Sequence, residues 1–87
     1  MKSILIEALA NNGIVDDVEQ EILKVKFGGM VNQHTQAMYW VLMVDYAEKI
    51  YYVTKIYLNV INLQADFAGQ VDWEGNFEEM DSRFKTL

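Results

Sequence analysis

The sequence predicts an all-α fold, a small helical bundle with one long central helix over residues 36–68, two shorter N-terminal helices and a short C-terminal one. Three observations carry that prediction. A polar stripe at Asp45, Glu48, Tyr52, Lys55, Asn59, Asn62 and Asp66 recurs in gaps of three and four residues through an otherwise apolar segment, the spacing of one helical face. One seam reads Tyr39, Met43, Tyr46, Ile50, Val53, Tyr57, Val60 and Phe67, interrupted only by Gln64, in the alternating steps of a heptad. The chain also has no proline to break a long helix.

The elements follow in order. Residues 3–10 place Ile4, Leu5, Ala8 and Leu9 on one face, and Asn11, Asn12 and Gly13 suit a helix end. Ile14, Val18, Ile22 and Val25 then recur at helical spacing behind Asp16 and Glu19, which have the form of a capping box, so a second helix is expected over residues 16–26. Leu23, Val25 and Phe27 also alternate with Lys24 and Lys26, the signature of a short strand ending at Gly28, and both readings stand for residues 19–27. Gly28 and Gly29 suit a turn or hinge, after which Asn32 or Thr35 can cap the long helix.

For residues 36–68 the rival is a β-meander, because Tyr, Val, Ile and Thr abound between residues 51 and 60. A half-buried strand needs its polar residues at every second position. Here Asp45, Lys49, Lys55 and Asn59 fall at odd positions while Glu48, Thr54, Asn62, Gln64 and Asp66 fall at even ones, which favours the helix. A loop follows Gly69. Within it Trp73, Glu74 and Gly75 spell the W-x-G signature of small secreted helical-hairpin proteins, but only residues 76–87 follow it, so Trp73 reads as a loop anchor. Asn76 with Glu79 makes another capping-box pattern before Phe77, Met80, Phe84 and Leu87, which form a short amphipathic helix.

Composition bounds the function. Eighty-seven residues make one domain, residues 1–87, and 52% hydrophobic against 23% charged residues is a globular balance. With no cysteine and one histidine, thiolate and histidine-based metal sites are not expected, nor is any cofactor. A net charge of −6 disfavours direct nucleic-acid or anionic-membrane binding and favours basic partners. The longest apolar run, residues 37–44, is far short of the ~20 residues of a membrane span, and no signal peptide is visible, so a cytoplasmic location is expected.

A helix over residues 36–68 would be roughly 45–50 Å long, more than its own chain can cover. Self-association is therefore expected, as a homodimer or higher oligomer, through Tyr39, Trp40, Met43, Tyr46, Ile50, Tyr51, Val53 and Tyr57. Lys24, Lys26, Gly28, Gly29, His34 and Thr35 group two cations, two glycines and a helix start, a weak candidate for holding a small phosphate-containing ligand such as a nucleotide between protomers. The group matches no phosphate-loop or dinucleotide pattern, and a glycine hinge with solvated lysines is the simpler account. No nucleophile sits in a recognisable pattern with His34, so no catalytic residue is assigned.

Carboxylates gather at Glu7, Asp16, Asp17, Glu19 and Glu21 and again at Asp72, Glu74, Glu78, Glu79 and Asp81. Joined on one face they would imitate a phosphate backbone, as phage or other mobile-element inhibitors of a basic host surface do, although acids in first turns also serve capping and solubility. The expected function is thus a non-enzymatic, acidic protein-binding adaptor or inhibitor acting as a homo-oligomer. The alternatives are a nucleotide-binding or sequestering protein and a structural subunit of a larger assembly.

Overall fold

The computed structural model describes residues 20–67 and 70–87. Among them the chain forms five strands and one helix: β1 (Gln20–Asn32), β2 (Gln36–Asp45), β3 (Ile50–Asn59), β4 (Ala65–Phe67), β5 (Trp73–Gly75) and α1 (Phe77–Lys85). The strands make one antiparallel sheet in the order β1-β2-β3-β4, with β5 also pairing β3. β4 lies along residues 56–58 and β5 along residues 51–53, so the two short strands share the far edge of β3 end to end.

This overturns the all-α helical bundle. The segment expected as one helix over residues 36–68 is a hairpin, β2 and β3, followed by β4 as far as Phe67. β2 and β3 pair without a register break from Gln36↔Asn59 to Asp45↔Ile50. Ala37, Tyr39, Val41 and Met43 of β2 lie opposite Leu58, Ile56, Thr54 and Tyr52 of β3 on one face, and Leu42 lies opposite Val53 on the other. Both faces are buried: Val41, Met43 and Ile56 are 0% exposed on the first, Leu42 and Val53 on the second. A strand buried on both faces reads as a continuous apolar run and has no polar parity to detect.

The polar stripe is not a helix face: Asp45, Asn59 and Asn62 cap turns, Glu48 lies in the first turn, and Tyr52, Lys55 and Asp66 sit on β3 and β4. Asp45 Oδ1 accepts hydrogen bonds from the backbone N–H of Ala47 and Glu48, and Asn59 Oδ1 accepts from Ile61 and Asn62. Each cap is followed four residues later by a left-handed residue, Lys49 and Leu63, both at φ 60°. Asx caps of this kind close turns by occupying backbone donors locally. The two turns stand fourteen residues apart, close to four helical turns, so their caps mimic a 3.6-residue period.

Of the two readings of residues 19–27, the strand is the one formed over the described residues 20–27, and it continues beyond Gly28 to Asn32. Residues 3–10 and the start of the second expected helix lie outside the described residues. β1 is irregular against β2, with register shifts at residues 22–24, 27–29 and 30–32. Gly29 sits at φ 128°, a conformation other residues rarely adopt, and absorbs one of these shifts.

The C-terminal helix forms as its local signals predict. Asn76 is the N-cap, its side chain accepting from the Glu79 N–H at 2.8 Å. Met80 and Phe84 drop onto Leu42 and Val53, flanked by Leu23, Trp40, Tyr51, Trp73 and Leu87. On the opposite face Ile22, Val25, Tyr52 and Phe67 pack around the cluster of Tyr39, Val41, Met43 and Ile56. Met80 is 1% exposed and is the deepest side chain of the helix. Met80→Ala is expected to destabilise the fold by about 2–5 kcal/mol, the range for emptying a buried methionine site, measured by urea denaturation. A loss under about 1 kcal/mol would mean that the helix is not anchored there.

Candidate interaction surface

The lysines of the expected anion site face the helix. Lys26 donates to the carbonyl oxygens of Phe84 at 3.0 Å and Leu87 at 2.9 Å, and its ammonium lies 5.2 Å from the Phe84 ring centroid. A cation capping the last carbonyls of a helix is favoured by the helix dipole. Lys24 pairs with Asp81, which Lys85 also reaches at 3.1 Å from one turn on. Gly28 lies beside the Met38 thioether and the Trp40 ring, while His34 and Thr35 belong to the β1–β2 turn. The structure therefore strings the six residues along β1 and its turn, with both ammonium groups turned to α1.

Cations and aromatic rings stack in series on the helix side. Lys55 lies 5.3 Å from the Trp40 ring, Trp40 stacks on Trp73 with centroids 6.0 Å apart, and the Arg83 guanidinium lies 5.1 Å from Trp73. Lys55 also pairs with Asp72 at 3.5 Å. Trp73 is thus an anchor, as expected, but it holds β5 and α1 against a sheet. Such cation–ring contacts contribute on the order of 0.5–1 kcal/mol each at partly exposed sites.

A cavity of about 290 Å³ opens between Gln20, Tyr52, Thr54, Phe67, Gln70 and Val71. Burial, with the nearby Asp45 charge, pushes the Tyr52 phenol above its ordinary value. These residues offer a phenol, a hydroxyl and two carboxamides, and no carboxylate, imidazole or thiol. Among the described residues no group of three or more histidine or acidic side chains is placed to hold a metal ion.

The residues expected to form an oligomer interface are dispersed by the sheet. Tyr39, Met43 and Val53 are buried within the chain, Trp40, Ile50, Tyr51 and Tyr57 are partly buried, and Tyr46 is exposed, donating its hydroxyl hydrogen to Glu21. That bond raises the Tyr46 phenol above its usual range, with smaller contributions from desolvation and from the Glu21 charge. The long helix that grouped the eight residues does not form.

A different surface stands out. Phe27, Met30 and Val31 of β1 and Val60, Ile61 and Leu63 of the β3–β4 turn are 41–73% exposed. They lie toward one end of the sheet, where Val60 N–H donates to the Thr35 carbonyl at 2.8 Å and joins the two turns. Exposed apolar side chains are ordinary when scattered, whereas a contiguous group marks an interaction site. Residues 27–44 and 56–65 contain no aspartate, glutamate, lysine or arginine. Two-sided burial accounts for this within the strands. It does not account for Met30, Val31, Asn32, Gln33, His34 and the exposed residues 60–64, where a charge would meet water freely.

Comparison with known proteins finds no match: no family model, curated protein or solved structure aligns with this chain. The surface is accordingly read from its own chemistry. An apolar centre with a rim of carboxamides and no charge has the composition of a protein–protein interface core. No sequence motif marks it. Its signal in the sequence is the pair of long uncharged stretches, whose turns are only identified once the strands are placed.

The ion pairs give a test of the helix attachment. Hydrogen bonds from Lys24 and Lys85 hold the Asp81 carboxyl below its ordinary value of 3.8. A depressed folded value means a stabilisation complete above pH 3.8 and lost as the pH falls through the lower folded value. Asp81→Asn is expected to be less stable than the parent chain near neutrality, with the gap closing below pH 3.8 in thermal unfolding. An unchanged gap at pH 2.5 would show that charge pairing is not the source.

Proposed function

We propose that this chain is a non-enzymatic binding protein that acts by protein–protein contact, through the uncharged apolar end formed by Phe27, Met30, Val31, Val60, Ile61 and Leu63. The observation that carries the reading is the absence of charge, among the described residues, at solvent-exposed positions of this end, in a chain with 20 charged residues. Water-facing positions normally take charged residues for solubility, and a surface that gives up that advantage is one that a partner covers.

The rest of the described surface suits contact less well. The exposed acids Glu74, Glu78 and Glu79 belong to β5 and the start of α1. β5 pairs with residues 51–53, about 20 Å along β3 from its uncharged end at residue 59. Whether they meet the acids at residues 7–19 involves positions outside the described residues. A basic target for the acidic region therefore rests on net charge alone, while the apolar end has both geometry and composition behind it. Among the described residues no helix is long and apolar enough to cross a membrane, and the cytoplasmic location expected from the sequence belongs to this reading.

A photo-cross-linking residue placed at Ile61 tests it in cells that express the chain. Irradiation is expected to yield a protein adduct that weakens when Val31→Lys is added, and none from the same probe at Glu78. Equal adducts from both positions, or none from Ile61, would sink the proposal.

A further inference from the structure

We infer that the partner covering the uncharged end is a second copy of this chain, joined about a two-fold axis. The inference rests on the reading of that end as the contact surface. Three features of the chain select a copy of itself.

The first is charge. Two chains of net charge −6 repel, and the repulsion is greatest where acids face acids. Among the described residues the formal charges are set back from the apolar end: Lys26 lies on the helix side of β1, engaged by the carbonyls of α1, and Asp66 follows the uncharged residues on β4.

The second is the rim. Asn32, Gln33, Asn62 and Gln64 are all exposed around the apolar centre. Each carboxamide carries both donors and an acceptor, so a patch rimmed with them can satisfy an identical patch rotated by 180°. A two-fold interface demands this self-complementarity, because the same surface must serve as both halves. A rim of one charge sign could not meet itself.

The third is extent. Six large apolar side chains at 41–73% exposure present on the order of 500 Å², toward the upper limit of what a monomer leaves open. With the carboxamide rim the area approaches the roughly 800 Å² per partner of a standard interface. The pairing proposed here uses the end of the sheet, where the turns are, and leaves the outer edge of β1 alone. That edge carries Lys24, Lys26 and three register shifts, features that discourage strand-to-strand addition.

Sedimentation equilibrium of the full chain decides between the outcomes. A mass of twice 10.1 kDa is expected at tens of micromolar. Ile61→Lys, in a turn at 73% exposure, is expected to weaken the dimer at least tenfold while its circular dichroism stays that of the parent. Val31→Lys should do the same if Ile61→Lys proves unstable, and Val71→Lys, at an exposed position outside this end, should leave the dimer intact. Raising sodium chloride from 0.05 to 0.5 M should change the dissociation constant by less than threefold, since no ion pair forms the contact. A monomer at 200 µM, or a dimer indifferent to both lysine variants at the apolar end, overturns the inference. A monomeric chain that still gives an Ile61 adduct with a different protein overturns the self-pairing alone and leaves the contact surface standing.

Discussion

The two-sided burial of the β2–β3 hairpin is the constraint on which the rest of the molecule depends. These strands pair over ten residues without a bulge, and their central side chains are closed from water on both faces. Every charged group near them must therefore leave the hairpin or be engaged at its margin. Lys55 shows the second solution, held between the Trp40 ring and Asp72. The first leaves long stretches without formal charge, and these run on into turns where burial no longer requires it.

β1 answers a different demand. It has one paired side and must accommodate a helix lying on one face, and its register shifts adjust which side chains point toward that helix. Leu23 enters the helix-side cluster from the first shift, while Val25 stays on the opposite face. Lys24 and Lys26 then face α1 and close its C-terminal half through Asp81 and the last carbonyls. The chain thus ties its helix to an edge strand more than 50 residues earlier by two ammonium groups. The same geometry engages both ammonium groups within the chain, while the Lys24 side chain stays partly open to solvent.

How much of this was legible in the sequence varies with how local each signal is. The C-terminal helix was readable because Asn76, Glu79 and the spacing of Met80 and Phe84 act within one segment. β1 was half readable, since lysines alternating with Leu23, Val25 and Phe27 spelled a strand beside an equally periodic helix pattern. β2 and β3 were not readable by parity, because both of their faces are apolar. The interaction surface was hidden for a related reason: Met30 and Ile61 are 31 residues apart and come to the same end of the sheet only when the two turns meet.

The sequence by itself determined the helix cap, the need to bury a large apolar excess and the lack of thiolate chemistry. Those properties depend on residues acting alone or within a few positions of one another. Only the tertiary structure decided between helix and sheet, divided the polar stripe between turns and strands, directed the lysines onto the helix and brought the uncharged turns to one end. The physical reason lies in the pairing partners. A strand's backbone hydrogen bonds are made to residues that are remote in sequence, so the pattern of a strand covered on both sides carries no local mark of where those partners are.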